Sequence, residues 1–172
     1  MKLARLKACI CEGSAERAII DLLLDAHLLI FERSELLEER VIRCRNASSF
    51  ERDYLRMSFS DKISIIRVLD SRKEPFKLSK AYKSKIEVID IVTAPEIEML
   101  IIINENKYNE FKKSKKKPSI FCKENLKMHD VKSYEFVKGY FSNVNDLLHA
   151  IKKYKEYSKV SKNEHTLNDL LK

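Results

Sequence analysis

The sequence predicts an α/β fold with a mostly parallel sheet, flanking helices and a helical C-terminal part. Short apolar runs alternate with segments of helical periodicity through residues 1–104, a pattern typical of βαβ units. Beyond residue 104 the chain is mainly helical and basic, and it ends in a polar tail. Because 172 residues suffice for one domain, we assign residues 1–104 to a core and 105–172 to a helical part of the same domain.

Four strands are predicted from aliphatic and β-branched content, at residues 3–11, 41–44, 62–70 and 86–92. Such nearly continuous apolar runs are typical of strands that are buried on both faces of a parallel sheet. Cys9 and Cys11 are two residues apart in the first run, so their side chains are expected on the same face.

Helices are predicted between and after the strands. Residues 14–26 place apolar side chains at helical spacing, and shorter helical segments follow at residues 35–40 and 77–84. Ser48 or Ser49 is expected to cap a helix that ends near residue 57. The last predicted helix, an amphipathic one, covers residues 144–157.

The charge of the chain suggests a polyanionic partner. The net charge is +8, and many of the lysines lie in the second half, at residues 112–117 and 152–155. Such a balance suits phosphate contacts with RNA or DNA. It equally suits a lysine-rich surface that only keeps the protein in solution.

Cysteine usage and hydropathy predict a cytoplasmic protein without a membrane partner. No apolar run approaches the ~20 residues that span a bilayer, and the basic N-terminus is interpreted as a first strand rather than a signal peptide. The four cysteines form no CxxC pair, and the histidines show no metal-ligand spacing. We therefore expect buried free thiols rather than a metal site.

Acidic residues follow two of the predicted strands. Glu12 ends the first strand and Asp70 the third, and the active sites of parallel sheets form at these carboxyl ends. Gly13 gives backbone freedom to the turn, and Glu16 lies in the first turn of the next helix, so both glutamates can face one cavity. The structural alternatives are a plain turn at Gly13, a favourable helix-dipole contact for Glu16 and a turn or cap at Asp70.

The fourth strand leads into a segment with two glutamates of different expected roles. Thr93, Pro95 and Glu96 match a capping box, in which Thr93 is the N-cap and the Glu96 side chain reaches back to it. Glu98 has no such task and precedes an aliphatic run. We therefore expect a structural role for Glu96 and a functional one for Glu98.

Taken in order, these features resemble the Toprim domain of topoisomerases, primases, overcoming-lysogenization-defect nucleases and several phage-defence proteins. A strand ends in Glu12-Gly13, Glu16 opens the following helix, and a later strand ends in Asp70. The stretch from Pro95 to Ile102 is similar to the Pro-x-x-Glu element, followed by an aliphatic helix, of the RloB-type Toprim-like proteins. The resemblance covers residues 4–103.

The resemblance implies a catalytic core that holds Mg²⁺ or Mn²⁺. It implies that Glu12 is the Toprim glutamate, which acts as general acid/base or metal ligand. Glu16 matches the second acid of the nuclease-type motif, Asp70 the first acid of the Asp-x-Asp pair, and Glu98 the late glutamate. The metal ligands expected from this match are Glu12, Glu16 and Asp70.

One position departs from the Toprim pattern. Where the second aspartate belongs, this chain has Arg72, so one ligand is missing unless Glu74 or Glu98 replaces it. Arg72 is instead expected to bind the scissile phosphate, together with the backbone at Gly13. Further phosphate contacts are expected from the lysine segment, at Lys113, Lys115 and Lys116.

The leading hypothesis is a Mg²⁺-dependent Toprim-like nuclease that acts on RNA or DNA as an effector in phage defence, with a larger defence-system protein as a further expected partner. The alternative is a catalytically degenerate Toprim fold that binds nucleic acid or a partner without chemistry, and the arginine at position 72 favours it. A nucleotide-binding regulator is a weaker third reading, because the chain has no glycine-rich phosphate loop.

Overall fold

Four parallel strands form the centre of the fold. The computed structural model describes residues 2–55, 62–70, 74–158, 161 and 164–172. In these residues one sheet has the strand order β2–β1–β3–β4, and every neighbouring pair is parallel. The strands are β1 (Leu6–Cys11), β2 (Ile42–Arg43), β3 (Ile63–Leu69) and β4 (Ile86–Val92). The predicted α/β class with a parallel sheet and flanking helices is confirmed.

The first two strands are shorter than predicted. β1 starts at Leu6, because the backbone N–H of Ala4 donates to the hydroxyl of Ser64 (2.8 Å) and so leaves the strand ladder. β2 has only two residues. Directly after it, the thiol of Cys44 donates to the carbonyl of Asn46 (3.3 Å), where the chain turns into the next helix.

The helices surround the sheet and continue to the C-terminus. In the described residues they are α1 (Ser14–Asp25), α2 (Ala47–Tyr54), α3 (Lys80–Lys83), α4 (Met99–Asn104), α5 (Tyr108–Ser114), α6 (Pro118–Glu124), α7 (Tyr134–Tyr140) and α8 (Val144–Tyr157). Single 3₁₀ turns lie at Arg33–Glu35, Leu37–Glu39 and Leu167–Leu170. None of the helices described here has the length and apolar character needed to cross a bilayer.

Both faces of the sheet are buried by apolar side chains. The larger cluster joins one face to α1, α4 and the C-terminal helices, and its sheet residues are Cys9, Cys11, Ile66, Val68, Ile89 and Ile91. The other face packs on α2, and its sheet residues are Ala8, Ile10, Ile42, Ile63, Ile65 and Ile86. Cys9 and Cys11 therefore share a face, as expected, and all four cysteines are free thiols.

Two predicted helix starts are wrong. Asn46, not Ser48 or Ser49, is the N-cap of α2, because its side-chain oxygen accepts the backbone N–H of Ser49 (2.9 Å). The helix ends at Tyr54, and the predicted end near residue 57 lies outside the described residues. The predicted helix at 77–84 is reduced to Lys80–Lys83.

The capping box after β4 is also absent. The hydroxyl of Thr93 donates to the carbonyl of Leu69 (3.0 Å), which ties the end of β4 to the end of β3. The Glu96 carboxylate accepts the backbone N–H of Ser119 (2.9 Å) in the first turn of α6, and α4 begins only at Met99. Glu96 thus has a structural contact, but with a different helix from the one predicted.

Candidate functional site

A polar cleft lies at the carboxyl edge of the sheet. Its volume is about 270 Å³, and its lining includes all four acids singled out from the sequence, Glu12, Glu16, Asp70 and Glu98. Glu12 follows β1 and Asp70 follows β3, and the two strands are neighbours with Cys11 opposite Val68. The structure therefore brings the predicted acids together, and the backbone of Gly13 lines the same cleft.

Gly13 makes room for the carboxylate of Glu16. The backbone at Gly13 is extended (φ −93°, ψ 161°), so the turn does not need the left-handed conformation that favours glycine. A Cβ atom at this position would lie 2.0 Å from Oε2 of Glu16. The Glu16 side chain folds back over Gly13 and accepts its own backbone N–H at the start of α1. Glycine is therefore needed at this position because it has no side chain, not because of the backbone freedom that the sequence suggested.

Burial raises the pKa of Glu16 above its ordinary value, and the nearby charge of Asp70 raises it further. The backbone hydrogen bond and Lys132 oppose this effect. Burial and the carboxylate of Asp70 on the same cleft thus disfavour the ionised form of Glu16. A cation or a shared proton in the cleft would relieve this repulsion.

Glu98 is the most deeply buried acid of the cleft. Its side chain is 2% exposed, and Oε1 lies 3.7 Å from Nζ of Lys132. Burial raises its pKa to about 7, with smaller contributions from the charges of Glu96 and Glu16. At neutral pH this carboxyl group is therefore present in both protonation states, which is the condition for proton transfer at that pH.

Glu12 pairs with a second carboxyl group. It shares a hydrogen bond with Glu74, and burial together with this neighbour raises the pKa of Glu12. The charges of Arg45, whose Nε lies 3.6 Å from Oε2 of Glu12, and of Arg67 have the opposite effect. Glu74, named from the sequence as a substitute for the missing acid, therefore does lie beside Glu12.

The cleft is also lined by three basic side chains that were not predicted from the sequence: Arg43, Arg45 and Lys132. Arg43 ends β2 and Arg45 follows it, so the rule that placed the acids at the ends of β1 and β3 would also have found them. Lys132 has no such signal, because it reaches the cleft from the segment between α6 and α7. All three are exposed and can contact an anion in the cleft.

The predicted phosphate-binding lysines lie elsewhere. Lys113 is in the last turn of α5, Lys115 follows that helix with a positive φ of 53°, and neither lines the cleft. Lys116 forms an ion pair with Glu124 (2.9 Å). Arg72 lies outside the described residues, so its expected phosphate contact has no structural counterpart here.

The donor chemistry of the cleft fits a hard divalent cation. Carboxylate oxygens are the protein ligands of Mg²⁺, which keeps several waters and uses only one or two carboxylates besides substrate phosphate. In the part of the chain that the structure describes, no three Asp, Glu, His or Cys side chains are arranged to hold one metal ion. A cation in the cleft would therefore be held by one or two carboxylates and by its own waters, not by a closed set of protein ligands.

Comparisons with known protein families, with curated proteins and with solved structures give no match to this chain.

The Glu98→Gln variant is expected to be more stable than the wild type at pH 8 and equal to it near pH 4.5. The folded-state pKa of about 7 lies above the ordinary value of 4.5, so the native protein loses stability as pH rises between these values. The full difference corresponds to about 3 kcal/mol of unfolding free energy. Urea unfolding of both proteins from pH 4.5 to 8.5 measures this difference in unfolding free energy. The control is Glu87→Gln, at the amino ends of the strands. A difference in unfolding free energy between Glu98→Gln and the wild type that does not change with pH would contradict the prediction.

The Gly13→Ala variant is expected to move the Glu16 carboxylate without unfolding the protein. Alanine adopts the backbone angles at this position, so the unfolding free energy should change by less than about 1 kcal/mol. The displaced carboxylate leaves its buried position, and its pKa should fall toward the ordinary value. Carboxyl-carbon NMR titration of Glu16 in both proteins measures this shift. An unchanged Glu16 titration would show that Gly13 does not control this side chain.

Proposed function

We propose that this protein is a Mg²⁺- or Mn²⁺-dependent nuclease of Toprim-like architecture, which hydrolyses phosphodiester bonds of RNA or DNA. The observation that carries the proposal is the convergence of Glu12, Glu16, Asp70 and Glu98 on one cleft at the carboxyl edge of a parallel sheet. An acidic cleft alone would repel a nucleic acid. Here basic side chains surround it, which is the charge pattern expected for a site that holds a cation and a phosphate together.

The carboxylates would have separate tasks. Of Glu12, Glu16 and Asp70, one or two would hold the cation directly and the remainder through its water ligands. The bound cation would neutralise charge at the phosphate and lower the pKa of a water. The two raised pKa values among them, of Glu12 and Glu16, fit this task, because each carboxylate lacks a fully neutralising partner in the protein alone.

Glu98 is suited to proton transfer. Its pKa of about 7 lets the carboxylate accept a proton from the attacking water, whose oxygen bonds to phosphorus as the bond to the leaving oxygen breaks. The protonated form can return a proton to that leaving oxygen. Nζ of Lys132 lies 3.7 Å from Oε1 of Glu98, so its positive charge stabilises the ionised form of this carboxyl group.

The basic side chains would bind and orient the substrate. Arg43 and Arg45 are exposed at the end of β2 on the rim of the cleft, where the guanidinium groups can form paired hydrogen bonds to a phosphate. They stabilise the charge that develops on the phosphoryl oxygens. Lys113 and Lys115 do not line the cleft and are assigned to flanking nucleotides.

A role in phage defence and a larger partner protein rest on the Toprim resemblance. A cytoplasmic setting is part of the same proposal, and the free thiols are consistent with it, since disulfides are rare in that compartment.

A second candidate is a catalytically inactive module that binds nucleic acid or a partner through the same surface. Two observations favour it: Arg72 replaces an expected acid, and among the described side chains no group of three is arranged to hold a metal ion. Cleavage separates the two candidates, because only the nuclease turns over its ligand.

We expect cleavage of end-labelled single- or double-stranded RNA or DNA in the presence of Mg²⁺ or Mn²⁺, and none in EDTA. Glu12→Gln and Asp70→Asn should each reduce the rate about 100-fold or more, because each removes a charged oxygen from the cleft. Glu87→Gln, which removes an exposed acid at the opposite edge of the same sheet, should leave the rate unchanged. Normal cleavage by both cleft variants would refute the proposed site, and binding without cleavage of any substrate would favour the inactive module.

A further inference from the structure

A second concave surface lies between α4, α5 and α8. This groove has a volume of about 280 Å³, and its main lining residues are Pro95, Met99, Tyr108, Phe111, Tyr154 and Tyr157. Three of these six are tyrosines and one is a phenylalanine. Single exposed aromatic residues are ordinary on protein surfaces, but here four aromatic residues line one groove.

Two of the rings form an ordered stack at the groove. The centroids of Tyr108 and Tyr157 are 4.2 Å apart and their planes differ by 7°. The Tyr157 side chain ends α8 and is 42% exposed. The Tyr157 ring is therefore both ordered by its stack with Tyr108 and accessible to solvent beside the groove.

Two of the three tyrosine hydroxyls are bound by the protein itself. The hydroxyl of Tyr108 donates to the backbone carbonyl of Tyr157 (3.4 Å), and that of Tyr154 donates to the carbonyl of Ala94. These contacts fix the rings in place. What the groove offers a ligand is then mainly aromatic and aliphatic surface, which recognises shape and stacking rather than a hydrogen-bond pattern.

Positive charge lies beside this aromatic surface. Nζ of Lys112 lies 5.6 Å from the centre of the Tyr108 ring, and both Lys112 and Lys113 are exposed on α5. A ligand that matches the surface has a flat apolar ring next to an anion. Nucleotides of a single strand have this combination, because each base can stack while its phosphate contacts a lysine.

The groove and the acidic cleft share one segment of chain. Ile97 and Glu98 line the cleft, whereas Ala94, Pro95 and Met99, on either side of them, line the groove. The two sites are therefore lined by neighbouring residues of one segment, and a strand whose phosphate lies in the cleft is the ligand that we expect to extend toward the groove. In a duplex the bases are stacked on one another and cannot enter.

We propose that the groove binds an unpaired base of a single-stranded RNA or DNA, and that Tyr157 is the residue on which this base stacks. The proposal rests on the proposed function, since it assigns single-stranded nucleic acid as the substrate class of the neighbouring cleft. It gives the lysines of α5 a role at nucleotides that flank the reacting phosphate.

The test is binding in EDTA, where cleavage does not interfere. Fluorescence anisotropy with a labelled 12-nucleotide RNA, the matching DNA and their duplexes gives the affinities of the wild type and of three variants. We expect tighter binding of a single strand than of its duplex, and about 10-fold weaker single-strand binding by Tyr157→Ala, within the range for loss of one base–aromatic stack. Tyr157→Phe retains the ring and should bind like the wild type. Ile120→Ala removes another exposed apolar side chain, outside the groove, and should have no effect.

Two results would overturn the base-binding groove. One is equal single-strand affinity of the wild type and Tyr157→Ala, with both proteins folded by circular dichroism. The other is self-association in sedimentation experiments that Tyr157→Ala abolishes, which would make a second copy of the chain the occupant.

The same variants separate this proposal from the nuclease itself. Binding that depends on Tyr157, without cleavage of any substrate in Mg²⁺, would support the groove and refute the nuclease. Cleavage of single strands with the same KM in Tyr157→Ala and the wild type would support the nuclease and refute the groove.

Discussion

The parallel register of β1 and β3 is the constraint on which the candidate site depends. Cys11, the last residue of β1, lies opposite Val68, and β3 continues for one residue more, to Leu69. The two strands thus end within one residue of each other, and Glu12 and Asp70 follow them at the same edge of the sheet. Both strands are buried on their two faces, and a shift in register would expose this apolar surface. The sheet therefore holds the acids together although their charges repel one another. Burial at this edge raises the pKa values of Glu12 and Glu16, which is thus a consequence of the fold.

A buried arginine in β3 connects this edge of the sheet to β4 and to the segment at Glu74. Arg67 in β3 is 2% exposed, and its Nη1 donates to Asp90 on β4 (3.1 Å) and to the backbone carbonyl of Glu74 (3.2 Å). Its guanidinium also lies 4.6 Å from the centre of the Phe76 ring. Through these contacts β3 fixes the segment that carries the Glu74 side chain to Glu12. Among the described residues, Nη2 of Arg67 has no hydrogen-bond partner. The hydrogen bonds of this guanidinium therefore come from Nη1, to this segment and to Asp90.

Much of the fold and part of the site could be predicted from the sequence. The strands were predicted from continuous apolar runs and α1 from apolar residues at helical spacing, because both patterns reflect burial. The positions of Glu12 and Asp70 followed from the rule that active sites form at the carboxyl ends of parallel strands. The capping box failed because Thr93 and Glu96 find partners on β3 and α6, and such long-range contacts leave no mark in local sequence. The same limit explains why Lys132 was missed. Arg43 and Arg45 differ from Lys132, because their position at the end of β2 is the same signal in the sequence that marks Glu12 and Asp70.

Anomalous X-ray scattering from crystals grown with Mn²⁺ tests directly the proposal that the acidic cleft binds a divalent cation. We expect an anomalous peak in the cleft, about 2 Å from an oxygen of Glu12, Glu16 or Asp70, which disappears in crystals of Asp70→Asn. A cleft with ordered carboxylates and no peak, at Mn²⁺ concentrations that support any cleavage observed in solution, would show that the proposed cation site is wrong.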